Sequence, residues 1–403
     1  MTTLDLSDRR RRARAAQRWR HLADLDPVLL AAAFALSVLG VVLVWSASTA
    51  ELTDAGQDPT AFAKRQAISL LIGLLLAYGV SRTPFVTFRV IAPWWYVVSI
   101  IGLVLTLTPL GVEVAGARAW LELPGGFTVQ PSEFAKIGLI LLLAVLGSGA
   151  VLSGDAARFV VRALAVCALP IGLVLLQNDT GTMLVLAAIS FTMLVIAGVP
   201  ARLLVGLAAA GALATVAVVR LGLLQDYQLA RLTAFLDPEA DLQATGFNAL
   251  QARIAISGGG MFGQGLFSGS QTQGSFVPVN ESDFIFTVAA EELGLVGAVA
   301  LIALLGVVLW RGLRIAAAAD DRFSRMVAVG IVAWFGFQAF ENIGMNLGIM
   351  PITGVTLPFV SFGGSSLMAT WIAVGVLQVL HIRRRRGVLV RPDGRLLHPQ
   401  PYG

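Results

Sequence analysis

Asp283 stands where the longest polar loop of the chain runs into an apolar stretch, in Phe276-Val-Pro-Val-Asn-Glu-Ser-Asp283-Phe-Ile-Phe286. At the rim of hydrocarbon, a carboxylate can serve as a general base for a substrate with a lipid tail while water still reaches it. Ionisable groups in a bilayer cost about 2.5–3.5 kcal/mol each, so those that persist are functional candidates. Glu133 and Lys136, in Gln130-Pro-Ser-Glu-Phe-Ala-Lys136, are three apart and share one face at a helix start. Pro131 and Ser132 suit the first turn, and Glu133 suits its positive dipole end. The pair reads as a structural ion pair or as a substrate site. Asp179, in Gln177-Asn-Asp-Thr-Gly-Thr182, occupies a tight turn, where it serves as an N-cap or as a site residue. Arg118 and Trp120 share a loop: the indole suits an interfacial belt and the guanidinium suits a phosphate. Glu291 and Glu292, two turns beyond Asp283, are too costly to face lipid and are expected to look into the bundle.

Composition restricts the chemistry. The chain has 403 residues, 57% hydrophobic and 13% charged, with a mean hydropathy of +0.80. A soluble domain carries roughly twice that charge, so this is a polytopic membrane protein. The pI near 10.0 reflects arginines placed beside spans, which are topology signals rather than a nucleic-acid surface. The single cysteine, Cys167, excludes an intrachain disulfide. His21, His381 and His398 all fall in the terminal tails, which leaves Asp and Glu as the bases of the membrane body and oxygen as its metal donor.

These residues must be positioned by an all-α bundle. At about 20 apolar residues per crossing, ten spans are expected, at 27–49, 66–81, 90–110, 133–152, 160–177, 181–199, 202–222, 284–310, 326–349 and 361–382. The organisation is a basic tail (1–26), a membrane domain (27–382) with a large loop at 223–283, and a second basic tail (383–403). Twenty-two of the 29 Lys and Arg fall on the side of both tails, which places both termini in the cytoplasm. The first span is too long for a cleaved signal peptide. Within the large loop, Leu250, Ile254 and Ile256 share a side of a short surface helix, and the Gly258–Gly265 run reads as closely packed, bent backbone rather than a nucleotide loop. Pro and Gly between Pro351 and Ser366 signal a broken stretch lining a cavity.

Seven segments together resemble the SEDS family (shape, elongation, division and sporulation), and within it the RodA type. They are Gly116-Ala-Arg-Ala-Trp120, Gln130-Pro-Ser-Glu-Phe-Ala-Lys136, Gln177-Asn-Asp-Thr-Gly-Thr182, Arg231-Leu-Thr-Ala-Phe-Leu-Asp-Pro238, Gly269-Ser-Gln-Thr-Gln273, Asp283-Phe-Ile-Phe286 with Glu291-Glu-Leu-Gly294, and Pro358-Phe-Val-Ser-Phe-Gly-Gly-Ser-Ser366. The resemblance implies a glycosyltransferase that polymerises lipid II, with the essential loop carboxylate on Asp283. It places the membrane pair on Glu133 and Lys136, the turn aspartate on Asp179, and the loop pair on Arg118 and Trp120. It also implies a class B penicillin-binding protein as partner, expected to dock on the eighth and ninth spans through Gly294, Gly297, Gly330 and Gly336. Glu281-Ser282 replaces the usual His-Thr, Asn178 replaces a usual proline, and Arg253 stands where lysine is common. The charge of Glu281 is expected to raise the pKa of Asp283.

An α-linked donor and a β-linked product require one inverting displacement, with Asp283 as base. Arg118, Lys136, Arg231 and Arg253 are the candidate cations for the departing pyrophosphate, with a divalent cation (Mg2+ or Mn2+) as the expected cofactor, held by carboxylates. The competing readings are a lipid II flippase and a scaffold.

Overall fold

The computed structural model describes residues 24–114, 116–123, 127–153, 156–222, 245–274 and 279–385, together with residues 228, 229, 231, 233, 235, 276, 389–390 and 396–397. The N-terminal arginine run, most of the 223–244 stretch and the arginines beyond 385 lie outside the described residues.

Among the described residues, ten apolar helices carry the fold. The first three are α1 (Pro27–Asp54), α2 (Ala61–Ser81) and α3 (Phe85–Thr106); α4 (Pro131–Ser153), α5 (Ala156–Leu176), α6 (Thr180–Ile196) and α7 (Ala201–Arg220) follow. The loop then contributes α8 (Thr245–Gly258) and the single turn α9 (Ser270–Gln273), before α10 (Ile285–Ala317), α11 (Arg322–Leu347) and α12 (Gly364–Arg385). Among the described residues, nine are long and apolar enough to cross a membrane. The other, α6, has 17 residues and rises about 26 Å, less than the roughly 30 Å of a hydrocarbon core. The apolar window of α12 is 89% buried, whereas α7 buries none of its residues. The bundle is thus built around α12, with α7 at its margin.

Residues 111–129, expected as plain loop, fold as a three-stranded antiparallel sheet: β1 (Gly111–Val114), β2 (Ala117–Leu123) and β3 (Phe127–Val129). Val112 and Val114 alternate with Gly111 and Glu113, and Gly116 supplies the positive φ of +82° at the turn. The sheet is pinned to the α5–α6 turn by the Arg118 N–H, which donates to the Gln177 carbonyl (2.9 Å).

The glycine run does pack closely. Gly294 (φ 68°, ψ −169°) breaks α10, and the loop backbone fills the gap. The Leu295 N–H donates to Gly260 O (2.9 Å) and Val296 N–H to Met261 O (3.1 Å), while Gln264 N–H and Gly265 N–H donate to Glu291 O and Glu292 O (both 3.0 Å). A side chain at Gly259 or Gly263 would collide with carbonyls of α10. Glu291 and Glu292 do face inward, toward this loop. The Glu291 carboxylate accepts from Gln271 N (2.7 Å), Thr272 N (3.0 Å) and Thr272 Oγ1 (2.6 Å), and Glu292 accepts from Ser46 Oγ (2.6 Å).

The short helix expected in the loop is present as α8; it packs through its alanine stripe, Ala249, Ala252 and Ala255, whose small side chains let it lie close, and leaves Ile254 exposed. Two expectations are corrected. Of the docking glycines, Gly294 is filled by the loop, Gly297 faces Leu293 of its own helix, and Gly330 packs on Ile140 and Met193 inside the bundle. Those three give no open groove to a partner. His381, assigned to the tail, lies in the last turns of α12, 3.9 Å from Asp26.

Candidate active site

Where α4, α6, α10 and α12 begin, the sheet, the 350–363 segment and the end of the loop enclose a cavity of about 360 Å3. Asp283, Asp179, Glu133, Trp120 and Arg231 all line it, from five separate parts of the sequence. Among the described residues no histidine or cysteine does.

Asp283 is held through its backbone. The Phe362 N–H donates to Glu281 O (2.8 Å), Ser361 Oγ donates to Ser282 O (2.5 Å), and Asn342 Nδ2 and Asn346 Nδ2 both donate to Asp283 O (2.9 and 3.0 Å). Three consecutive carbonyls are thereby fixed, which sets where the carboxylate points. Ser282 Oγ donates to Asp283 Oδ1 (3.0 Å), and Oδ2 faces Gly354, whose φ of +75° and missing side chain leave room beside it. Burial pushes the Asp283 carboxyl above the usual carboxylate range. The Ser282 hydrogen bond and the Arg231 guanidinium oppose the rise, and the charge of Asp179 adds to it. The expectation that Glu281 supplies the raising charge is corrected. Glu281 lines the same cavity, but burial first, then the charges of Glu51 and Asp283, push Glu281 itself upward.

Asp179 is an N-cap and a cavity residue at once. It accepts from Thr182 N (2.9 Å) and from Gln130 Nε2 (3.0 Å), and burial raises its carboxyl. The preceding Asn178 has φ 62°, a left-handed turn conformation that asparagine tolerates.

Glu133 and Lys136 form a buried ion pair at 2.7 Å. Glu133 reaches the cavity, whereas Lys136 lies behind it at 1% exposure. Lys136 Nζ also donates to Gln338 Oε1 (2.9 Å), sits 5.0 Å from the centre of the Trp334 ring, and shares the Gln338 acceptor with Trp334 Nε1 (2.6 Å). Gln338 Nε2 then donates to Thr356 O (2.8 Å), and Thr356 Oγ1 meets Ser366 Oγ (3.0 Å) on the cavity wall. The pair is thus tied to the broken segment that lines the site.

Two predicted residues are not brought together with the rest. Arg118 is exposed on β2, and its Nε donates to Gly111 O (3.3 Å). Arg253 packs its guanidinium over Gly348, the left-handed cap that ends α11, where a cation suits the helix dipole. Arg231 is in place, with Nη1 donating to Thr353 O (3.3 Å). A cation absent from the predicted set, Arg65 at the start of α2, also lines the cavity. The signal for it was present: Arg65 is one of the seven basic residues that do not follow the main side of the charge distribution. Among the described residues no three Asp, Glu, His or Cys side chains gather into a metal cage.

Residues 27–386 match the family model of cell cycle proteins named for FtsW, RodA and SpoVE. The chain belongs to this family. The probable peptidoglycan glycosyltransferase FtsW of Trichlorobacter lovleyi is 39% identical over 365 residues, covering 88% of this chain and 93% of that protein. The peptidoglycan glycosyltransferase MrdB of Escherichia coli K12 is 36% identical over 373 residues, 90% and 94% of the two chains. A chain of a solved peptidoglycan synthase complex, described as coordinating polymerization and crosslinking, superposes with a TM-score of 0.75 at 33% identity. That match covers 89% of this chain and 98% of the other. As an FtsW/RodA/SpoVE-family member, the protein is a multi-pass membrane peptidoglycan glycosyltransferase with an all-α bundle.

Proposed function

We propose that this family member polymerises lipid II into glycan strands during elongation of the cell, with Asp283 as the general base. The observation that carries the reading is the convergence of Asp283, two guanidiniums (Arg65 and Arg231), Asp179, Glu133 and Trp120 on one cavity at one end of the bundle. In this reading the acceptor sugar hydroxyl gives its proton to Asp283 as its oxygen attacks the anomeric carbon, and polyprenyl pyrophosphate leaves with inversion. A raised carboxyl accepts that proton more readily than an ordinary one. Arg65 and Arg231 stand where they would stabilise the departing pyrophosphate. Arg118 and Arg253, being outside the cavity, drop out of that role. A divalent cation would arrive with the pyrophosphate and share it with one or two of the cavity carboxylates, whose hard oxygens suit Mg2+ or Mn2+.

The arginine distribution supports cytoplasmic termini, with the cavity then opening on the outer face, where lipid II presents its sugars. The elongation role rests on the Ser270-Gln-Thr-Gln273 turn, which resembles that of RodA-type members. The partner of the same chemistry is a class B penicillin-binding protein with one transmembrane helix. The face we assign to it is the exposed apolar one of α10 and α11, including Val299, Ile302 and Phe340. Crosslinkers at these positions should capture the partner; capture from α2 instead would move the interface.

Purified protein incubated with lipid II, alone and with its partner, tests the reading. Glycan strands on a gel support a polymerase. Translocation without polymer would support the flippase reading, against which stands the clustering of the cavity's ionisable groups at one end rather than along a path through both leaflets.

A further inference from the structure

The loop between α8 and α9 presents an unusual surface. Residues 254–280 carry no charged side chain. Within them Phe262 is 81% exposed and Met261 58%, with Leu266 and Phe267 also exposed. Exposed apolar groups on a charge-free loop call for an apolar neighbour.

The level of this tip is fixed by its hydrogen bonds. Gly260 O and Met261 O accept from Leu295 and Val296 of α10, whose own side chains are exposed beside the tip. From Leu295 to Arg311 and Arg314, at the other end of α10, the rise is about 24 and 29 Å at 1.5 Å per residue. Those arginines lie over the exposed Trp310 ring, at 5.4 and 5.1 Å, an aromatic and basic pair of the kind that marks a membrane interface. Trp45 of α1 stands about 27 Å along its helix from Pro27, is exposed, and meets Phe267 edge-on at 5.0 Å. Two belts, Trp310 with its arginines and Trp45 with Phe267, therefore lie close to one hydrocarbon thickness apart.

We propose that the Met261–Phe267 tip is a membrane anchor, inserted among the acyl chains of the leaflet on the Asp283 side. It is an interfacial element beyond the ten helices, and it does not depend on the polymerase reading. The broken α10 favours it: Gly260 O and Met261 O accept from α10 N–H groups, and the Gln264 and Gly265 N–H groups donate to α10 carbonyls, so part of the tip's backbone is already paired where it meets lipid. Because Glu291 holds α9 and the same loop runs on to Asp283, the anchor fixes the height of the cavity against the lipid headgroups.

A nitroxide on Phe262→Cys, in a Cys167→Ala background, tests this in vesicles of phosphatidylethanolamine and phosphatidylglycerol, with Asp58→Cys in the exposed α1–α2 turn as the aqueous reference. Phe262 makes little packing contact, so its replacement should leave the fold intact. Power saturation should show dissolved oxygen relaxing the label at 262 several-fold more than nickel-EDDA does, with the order reversed at 58. Relaxation by nickel-EDDA at 262 comparable to that at 58 would overturn the anchor. Protection from both reagents would overturn it too, by showing a protein surface over the tip.

Discussion

The buried pair of Glu133 and Lys136 offers a perturbation whose size follows from its surroundings. Glu133 is 3% exposed and Lys136 1% exposed, with Nζ···Oε1 at 2.7 Å. Lys136→Met removes the cation and leaves a carboxylate buried without its counter-charge, a change that costs about 3–5 kcal/mol. At roughly 2 °C per kcal/mol for a chain of this size, the Tm should fall by about 6–10 °C. Combining Lys136→Met with Glu133→Gln removes both charges, and most of the stability should return, giving a coupling energy of about 2–4 kcal/mol. Thermal unfolding of the four proteins in detergent measures the cycle, and lipid II polymerisation measured in parallel separates structure from chemistry. Glu133 faces the cavity while Lys136 does not, so the double variant should fold well and still polymerise poorly. Additive stability losses would refute the buried pair, and full recovery of polymerisation by the double variant would refute a role for Glu133 in the site.

Activity should fall on the acid side as Asp283 takes up its proton. Asp179→Asn removes the like charge that raises Asp283 and should shift that limb to lower pH, Arg231→Gln should shift it to higher pH, and Glu281→Gln should leave it nearly in place; pH–rate profiles check all three. Because the native Asp283 carboxyl lies above its unfolded value, its ionisation destabilises the fold as pH rises through that native value. Asp283→Asn should accordingly raise the Tm at neutral pH, and the gain should vanish below the unfolded carboxylate range. Asn342→Ala and Asn346→Ala each remove a hydrogen bond to the Asp283 carbonyl, worth about 0.5–1.5 kcal/mol, and should lower kcat several-fold with little change in KM. Gly263→Ala drives a side chain into the Glu292 carbonyl at φ +83° and should cause folding loss, seen as reduced monodisperse protein on size-exclusion chromatography.

Much of this was legible because a membrane chain keeps so few polar groups. Asp283, Asp179 and Glu133 stood out in the sequence against hydrocarbon, and the ten helices followed from apolar length alone. Partners across the sequence were not legible. Nothing local in Asn342, Asn346 or Gln338 announces that they reach Asp283, Lys136 and Thr356, since those contacts exist only once α11 packs against the cavity. Arg118 matched a family position and Arg253 stood where the family commonly has lysine, yet neither correspondence in sequence sets a side chain's direction: one turned to the sheet's own backbone and the other to a helix end. The sheet at 111–129 was hidden because its strands are short and one is only three residues. The glycines proposed for a partner were used by the chain itself, because a residue that permits close approach permits it equally to its own loop.

The central claim is that Asp283 is the base of a lipid II polymerase. Asp283→Asn keeps the shape of the side chain and removes its basicity, so purified variant and wild type can be compared on the same lipid II, with binding and chain length read separately. Lipid II binding should persist while strand formation falls by about 10²–10⁴-fold, the range of a lost general base. Glycan strands made at the wild-type rate by a well-folded Asp283→Asn protein would contradict the assignment.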